Sequence, residues 1–213
     1  MILVIDTSSS QLSIGLAAVD GTLLREFHIE PGANVGQRAI HDARLAMETA
    51  KLLRSESVLP NQITRIGLII GPGSFTGLRI GLSFAKGLAF AVGAAIVPMT
   101  VHEVLQSANP DHKGYIITPG YRPDLFYVAE SDSLQEIRLA SGQELSDLPP
   151  KPILAHDFFV SHPSSFIPHF SLFAVLSLVT MAHIASESPE LVVGEALDAL
   201  EPRYLTEFNV GKR

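Results

Sequence analysis

Between Ile69 and Gly81 the chain reads Ile-Ile-Gly-Pro-Gly-Ser-Phe-Thr-Gly-Leu-Arg-Ile-Gly. The stretch starts where an apolar strand (Ile66, Leu68, Ile69, Ile70) stops and ends inside a helix. Glycines at such a junction permit backbone shapes that a Cβ forbids, and they let a ligand or a second backbone come close. Ser74 or Thr76 can cap the helix by accepting a backbone N–H. A helix start of this kind can face an anion, which makes Gly71, Gly73 and Ser74 candidates for phosphate contact. Asp6 and Thr7 lie in the polar run that ends the first strand. The alternatives are a packing turn for Gly71–Gly77 and a polar strand terminus for Asp6.

The stretch fits no standard phosphate loop. No Gly-Lys-Ser/Thr follows the glycines, as a P-loop requires, and Thr76 stands where the dinucleotide fingerprint needs its third glycine. There is no His-Glu-x-x-His run, and His28, His41, His112, His156, His162, His169 and His183 are scattered.

The elements that position these residues are legible in outline. Residues 2–6, 12–19 and 22–29 read as three strands in meander order, with Asp20-Gly21 as a hairpin signal. Gln37 to Arg54 carries Ala39, Ile40, Ala43, Ala46, Met47, Ala50 and Leu53 at helical spacing, with Leu45 and Leu52 off that face. Strand 65–70, the Gly-rich turn and a helix to about Gly93 follow, then a short strand Ala94–Val97 stopped by Pro98, and a helix Val101–Ser107. Tyr115–Thr118 and Leu125–Glu130 read as paired strands, Phe173–Ser186 as a helix and Pro189–Leu200 as another. Residues 131–170 resist assignment, and no internal repeat stands out.

Composition narrows the function classes. The chain has 213 residues, 46% hydrophobic and 17% charged, enough for one large domain or two small ones. It has no cysteine. That removes disulfides, thiol catalysis and thiolate metal sites, and makes the cytoplasm the expected compartment. No uncharged apolar run reaches the roughly 18 residues of a membrane span, and the N-terminus lacks the basic segment of a signal peptide. The net charge of −7 is uneven. Residues 1–106 hold eight Lys/Arg and eight Asp/Glu, whereas 107–213 hold seven and fourteen. Two subdomains, 1–106 and 107–213, are the expectation, with the last helices packing back on the first. The absence of a basic run disfavours direct RNA binding.

Three strands, helix, strand, helix, strand and then a second α/β unit resemble the duplicated actin-like (ASKHA) fold, in which an Asp at the end of the first strand starts a phosphate-facing hairpin; the resemblance implies that Asp6 and Thr7, with Gly71, Gly73 and Ser74, are a vestigial nucleotide site. Four blocks carry a narrower resemblance: Ile5-Asp6-Thr7-Ser8, Gly71 to Gly81, Ala85-Lys86-Gly87-Leu88-Ala89, and Glu201-Pro202-Arg203-Tyr204-Leu205. In this order they resemble the TsaB (YeaZ) family, strongly over 1–106, weakly over 107–195 and again at 201–205. The resemblance implies a non-catalytic subunit of the tRNA N6-threonylcarbamoyladenosine (t6A) machinery. It pairs with the catalytic paralogue TsaD, and a TsaE ATPase joins them. It implies no required cofactor, with ATP or ADP at the partner interface as an option, tRNA contacted only through the complex, a homodimer as an alternative assembly, and no membrane.

The residues bear on that reading. TsaD-like proteins carry a His-x-Glu-Gly-His type run where this chain has only His102 and Glu103. Adjacent helical residues point about 100° apart and do not converge on one ion. The chain also departs from family habit: Val35-Gly36 precedes Gln37 where a His-Ser/Thr pair is common, and Pro119-Gly120-Tyr121-Arg122 stands where Asp-Ala-Arg is common. Gly77, Gly81, Ala85, Ala89 and Gly93 recur every four residues and make a stripe of small side chains. With Leu45 and Leu52 of the first helix, Gly77, Gly81, Ala85 and Ala89 are the expected partner interface. Close packing on the chain's own sheet is the alternative. The competing functions are a stand-alone glycoprotease-like hydrolase or small phosphotransferase acting through Asp6 and the Gly71–Gly77 turn, and a module that holds a nucleotide without turnover.

Overall fold

A computed structural model describes residues 1–29, 38–120, 122, 124–156, 172–174 and 176–204. Strand β1 (Ile2–Asp6) is buried along its whole length, as its unbroken apolar run demands. It sits at the centre of the first sheet. On one side it pairs antiparallel with β2 (Leu12–Ala17), which pairs with β3 (Leu23–Ile29). On the other it pairs parallel with β4 (Arg65–Gly71), which pairs parallel with β5 (Ala95–Thr100). The order is β3-β2-β1-β4-β5. Helix α1 (Arg38–Ser55) joins β3 to β4, and α2 (Phe75–Val92) joins β4 to β5.

Helix α3 (Val101–Ala108) leads to the second sheet of β6 (Tyr115–Pro119), β7 (Leu125–Glu130), β8 (Ser133–Ser141), β9 (Ile153–His156) and β10 (Leu172–Ala174), ordered β10-β9-β6-β7-β8. Read from its first strand, this is the first sheet's pattern again. β6–β7–β8 is an antiparallel meander, and β9 and β10 add in parallel on the far side of β6. A short α4 (Gly142–Ser146) follows β8; α5 (Leu178–Glu187) and α6 (Ala196–Ala199) close the described chain. The duplicated α/β architecture is the actin-like one.

The two halves share a core. Helix α5 packs on β1, β2 and β4 of the first sheet, and α3 packs on β6 of the second. Ile2, Val4, Val97, Met99, Val104, Ile116, Leu154, Leu178 and Met181 belong to one buried cluster. The Arg65 guanidinium, on β4, donates to the carbonyls of Ala185 (2.8 Å) and Ser186 (2.7 Å) at the end of α5. These carbonyls have no partner within the helix, so the cation fastens α5 to the sheet. Helix α2 is long and apolar enough, by length and composition alone, to cross a membrane. Here it lies on β4, carrying Arg79 and Lys86 away from the sheet.

Three expectations need correction. Pro98 does not stop β5, which runs to Thr100. β5 is the edge strand of its sheet, where a missing N–H costs no ladder bond. The apolar run at 172–174 is the strand β10, not the start of a helix, and α5 begins only after Ser177, whose side chain accepts the Thr180 N–H. A short apolar run does not reveal its period. Residues 189–200 form only the single turn of α6, and Val192 bridges instead to Ile96 on the β5 edge. The expectations on Val35, Gly36, Tyr121, His162, His169 and Leu205 lie outside the described residues.

Candidate functional site

The parallel pairing of β1 with β4 places their carboxyl ends side by side, so that Ser8, just past Asp6 and Thr7, meets Gly73 and Ser74, while Thr7 meets Gly81 and Gly71 faces Arg203. After β1 the chain turns sharply: the Asp6 carboxylate accepts the Ser8 N–H at 2.8 Å, a turn that Asx residues favour. The Ser8 carbonyl then accepts the Ser74 N–H at 2.6 Å. Gly73 lies so close to this carbonyl that a Cβ there would overlap it. Ser74 caps α2, its hydroxyl accepting the Gly77 N–H at 3.2 Å. One amide that could have faced a phosphate is therefore spent on the chain's own backbone.

The other side of the turn is covered by the end of the described chain. The Arg203 N–H donates to the Ile70 carbonyl at 2.7 Å. Gly71 has φ +139°, and a Cβ on it would sit 2.7 Å from the Arg203 carbonyl oxygen. Tyr204 stacks on Phe75 at 4.8 Å between ring centres, and its hydroxyl accepts from the Arg79 Nε at 2.9 Å. The Arg79 guanidinium lies 4.1 Å from the centre of the Phe75 ring, a cation–π distance. The Lys86 ammonium donates to the Asp198 carbonyl at 3.1 Å. Both cations of α2 are thus engaged with the last described segment. Sequence reasoning missed Phe75, Arg79, Arg203 and Tyr204 as one cluster. The signal was present in the i, i+4 spacing of Phe75 and Arg79, but nothing local says that residue 204 returns to them.

The small-residue stripe faces inward. Gly77, Gly81, Ala85 and Ala89 are buried, as are Leu45 and Leu52. Leu45, Leu52, Ala85 and Ala89 join Leu3, Ile5, Ile14, Ile66 and Leu68 in the core of the first half. Gly81 abuts the Thr7 side chain so closely that a Cβ would overlap its hydroxyl. The expectation that these six residues form a partner interface is therefore corrected: small side chains let α2 settle deep against the β1 end and against α1. The opposite face of α2 presents Ser83, Gly87 and Phe90, with Phe90 87% exposed and no described residue within 4 Å of where a Gly87 Cβ would be.

His102 and Glu103 point apart. His102 is fully buried, with Nε2 3.3 Å from the Tyr127 carbonyl. The Glu103 carboxylate accepts the Thr100 N–H at 2.6 Å and closes the capping box of α3. Among the described residues no three of His, Asp and Glu are grouped to hold a metal ion.

The family model for TsaD, tRNA N6-adenosine threonylcarbamoyltransferase, matches residues 37–122, the span from α1 through β6. The TsaB protein of Bacillus subtilis is 34% identical over 118 residues, covering 55% of this chain and 48% of that protein. TsaB of Escherichia coli is 32% identical over 108 residues, covering 51% and 42%. Among solved structures, YeaZ from Pseudomonas aeruginosa superposes with a TM-score of 0.65 at 20% identity, covering 96% of this chain and 99% of that one. Over about half of its length the chain is thus similar to TsaB proteins, and it shares the fold of YeaZ. It spans about half or less of the length of the curated TsaB proteins it matches. A more distant likeness, to the ethanolamine utilization protein EutJ of Carboxydothermus hydrogenoformans (TM-score 0.54, 9% identity), extends the shared fold beyond TsaB.

Proposed function

We propose that this chain is a TsaB-family, non-catalytic subunit of the t6A machinery, binding and organising a TsaD-like catalytic paralogue. The observation that carries the reading is the divergence of His102 and Glu103. Where TsaD-like proteins hold a metal, this chain buries its histidine against the Tyr127 carbonyl and uses its carboxylate as a helix cap. The t6A assignment itself rests on the names of the TsaB relatives and on the TsaD family match. The Gly-rich turn adds support, because its Ser74 amide and its Gly71 surface are taken by Ser8 and Arg203.

The TsaD-like subunit is the first partner, a TsaE-like ATPase the second, and a homodimer the assembly of the isolated chain. ATP or ADP enters, if at all, at the partner interface; tRNA is reached through the complex, and the compartment is the cytoplasm. Pairing uses the outer face of α2, where Ser83 and Gly87 leave room for a close approach and Phe90 projects.

Nucleoside mass spectrometry of tRNA from a depleted strain is the test. The t6A level should fall with other modifications spared, and re-expression should restore it. An unchanged level in a strain without a second copy sinks the assignment. Peptide or ATP turnover by the isolated chain that vanishes in Asp6→Ala would instead establish the hydrolase or phosphotransferase reading.

A further inference from the structure

Four consecutive residues, Glu201 to Tyr204, touch both halves of the fold. The Arg203 N–H is bound to the end of β4 through Ile70. Its guanidinium donates to the Gln135 side-chain oxygen at 3.2 Å and to the Gln135 main-chain carbonyl, on β8 of the second sheet. The Gln135 amide donates in turn to the Glu103 carboxylate at 3.1 Å, at the start of α3. Tyr204 is clamped by Phe75 and Arg79 at the start of α2. Gly71 is shaped for this segment, since a Cβ there would press on the Arg203 carbonyl.

The fastening is strong in number and weak in kind. Each side-chain bond that holds Arg203 and Tyr204 is exposed to solvent. Water competes for such contacts, and exposed polar pairs contribute little individually. Segments with few buried contacts open first. The buried cluster around α3 and α5 joins the halves whether or not the segment is seated, and gives them a pivot. We propose that Glu201–Tyr204 is a releasable strap that sets the angle between the two sheets, and that its release lets β8 swing away from the Gly-rich turn. The inference stands apart from the t6A assignment, because it uses only contacts within the chain.

The absence of cysteine makes the test clean. Spin labels on the full chain at Ser83→Cys and Glu136→Cys, both exposed positions, read the spacing between the halves. The labelled parent should give one narrow distance distribution, and Arg203→Ala/Tyr204→Ala should broaden and shift it. Amide exchange of Ser133–Ser141 in the same double variant should speed up by about tenfold or more, the effect of losing about 1.4 kcal/mol, while Ile2–Asp6 keeps its protection. Arg203→Met, which keeps the aliphatic stem and the backbone N–H, should move both readouts in the same direction by less. Unchanged distances and exchange would overturn the strap, because packing alone would then orient the sheets. Faster exchange in Ile2–Asp6 with early melting would overturn it too, because the segment would then be part of the cooperative core.

Discussion

The Gly81 backbone lies against the Thr7 hydroxyl, with no room for even a methyl group between them. This contact sets how deeply α2 sits on the first sheet. In a helix interior Gly→Ala gains up to about 1 kcal/mol of intrinsic propensity, whereas overpacking a close contact costs about 1–3 kcal/mol. Thr7 is fully buried and cannot swing into solvent, so the clash wins. Gly81→Ala should lower stability by about 1–2 kcal/mol in denaturant melts, and Gly81→Leu should melt earlier still or aggregate. Among the described residues the Thr7 hydroxyl has no hydrogen-bond partner, so Thr7→Ala opens space without breaking a bond to any of them. The Thr7→Ala/Gly81→Ala double variant should recover about 1 kcal/mol relative to additivity. A fully additive cycle would mean that the two residues do not press on each other.

Gly87, six residues on, should respond in the opposite sense. It is exposed and mid-helix, and no described residue lies within 4 Å of its absent Cβ. Gly87→Ala should therefore stabilise the protein by about 0.5–1 kcal/mol, mainly by restricting the unfolded chain. A calorimetric midpoint that fails to rise would count against this placement of α2.

Acid sensitivity should involve Glu48. Its side chain is buried in α1, which raises the carboxyl pKa, but hydrogen bonds from Lys51 (3.1 Å) and Arg44 (3.2 Å), with their charges, outweigh burial and hold the net value below 4.5. A depressed carboxyl pKa means that the unfolded chain binds the proton more readily. The stabilisation is thus present above about pH 4.5 and is lost as pH falls through the folded-state value. Glu48→Gln should cost about 1–2 kcal/mol at neutral pH, the range for hydrogen bonds to a charged group, and progressively less as the pH falls below 4.5 through the folded-state value. Melts of both proteins across this window check it; a constant gap would exclude titration of Glu48 as the cause.

Partner binding should separate from stability at Phe90. An 87% exposed ring loses no core contact when replaced, so Phe90→Glu should leave the melt within about 0.5 kcal/mol of the parent. Aromatic residues dominate interface energies, and the same variant should weaken pairing with a TsaD-like subunit by about tenfold or more, or about 1.4 kcal/mol. Titration of the purified partner reads the first effect and size-exclusion chromatography reads self-association. Normal pairing by Phe90→Glu would move the interface off the outer face of α2.

Local signals in the sequence determined much of this protein. The apolar run before Asp6 and the strand–glycine–helix junction at Gly71 to Ser74 each depend on neighbours within a few residues, and each folds as read. The adjacency of His102 and Glu103 likewise fixed their divergence, because helix geometry alone sends them apart. Tertiary structure decided what the same patterns face. Small residues every fourth position suit a partner helix or the chain's own sheet equally well, and only the packing of Gly81 on Thr7 and of Leu45 and Leu52 on the first core turned them inward. Pro98 reads as a stop until β5 proves to be an edge strand. The repeated strand order of the two halves left no visible repeat in the residues, since a topology constrains which positions are apolar far more than which side chains fill them. The seat of Arg203 and Tyr204 on residues more than a hundred positions earlier exists only because the folded sheets bring the two chain ends of that contact together.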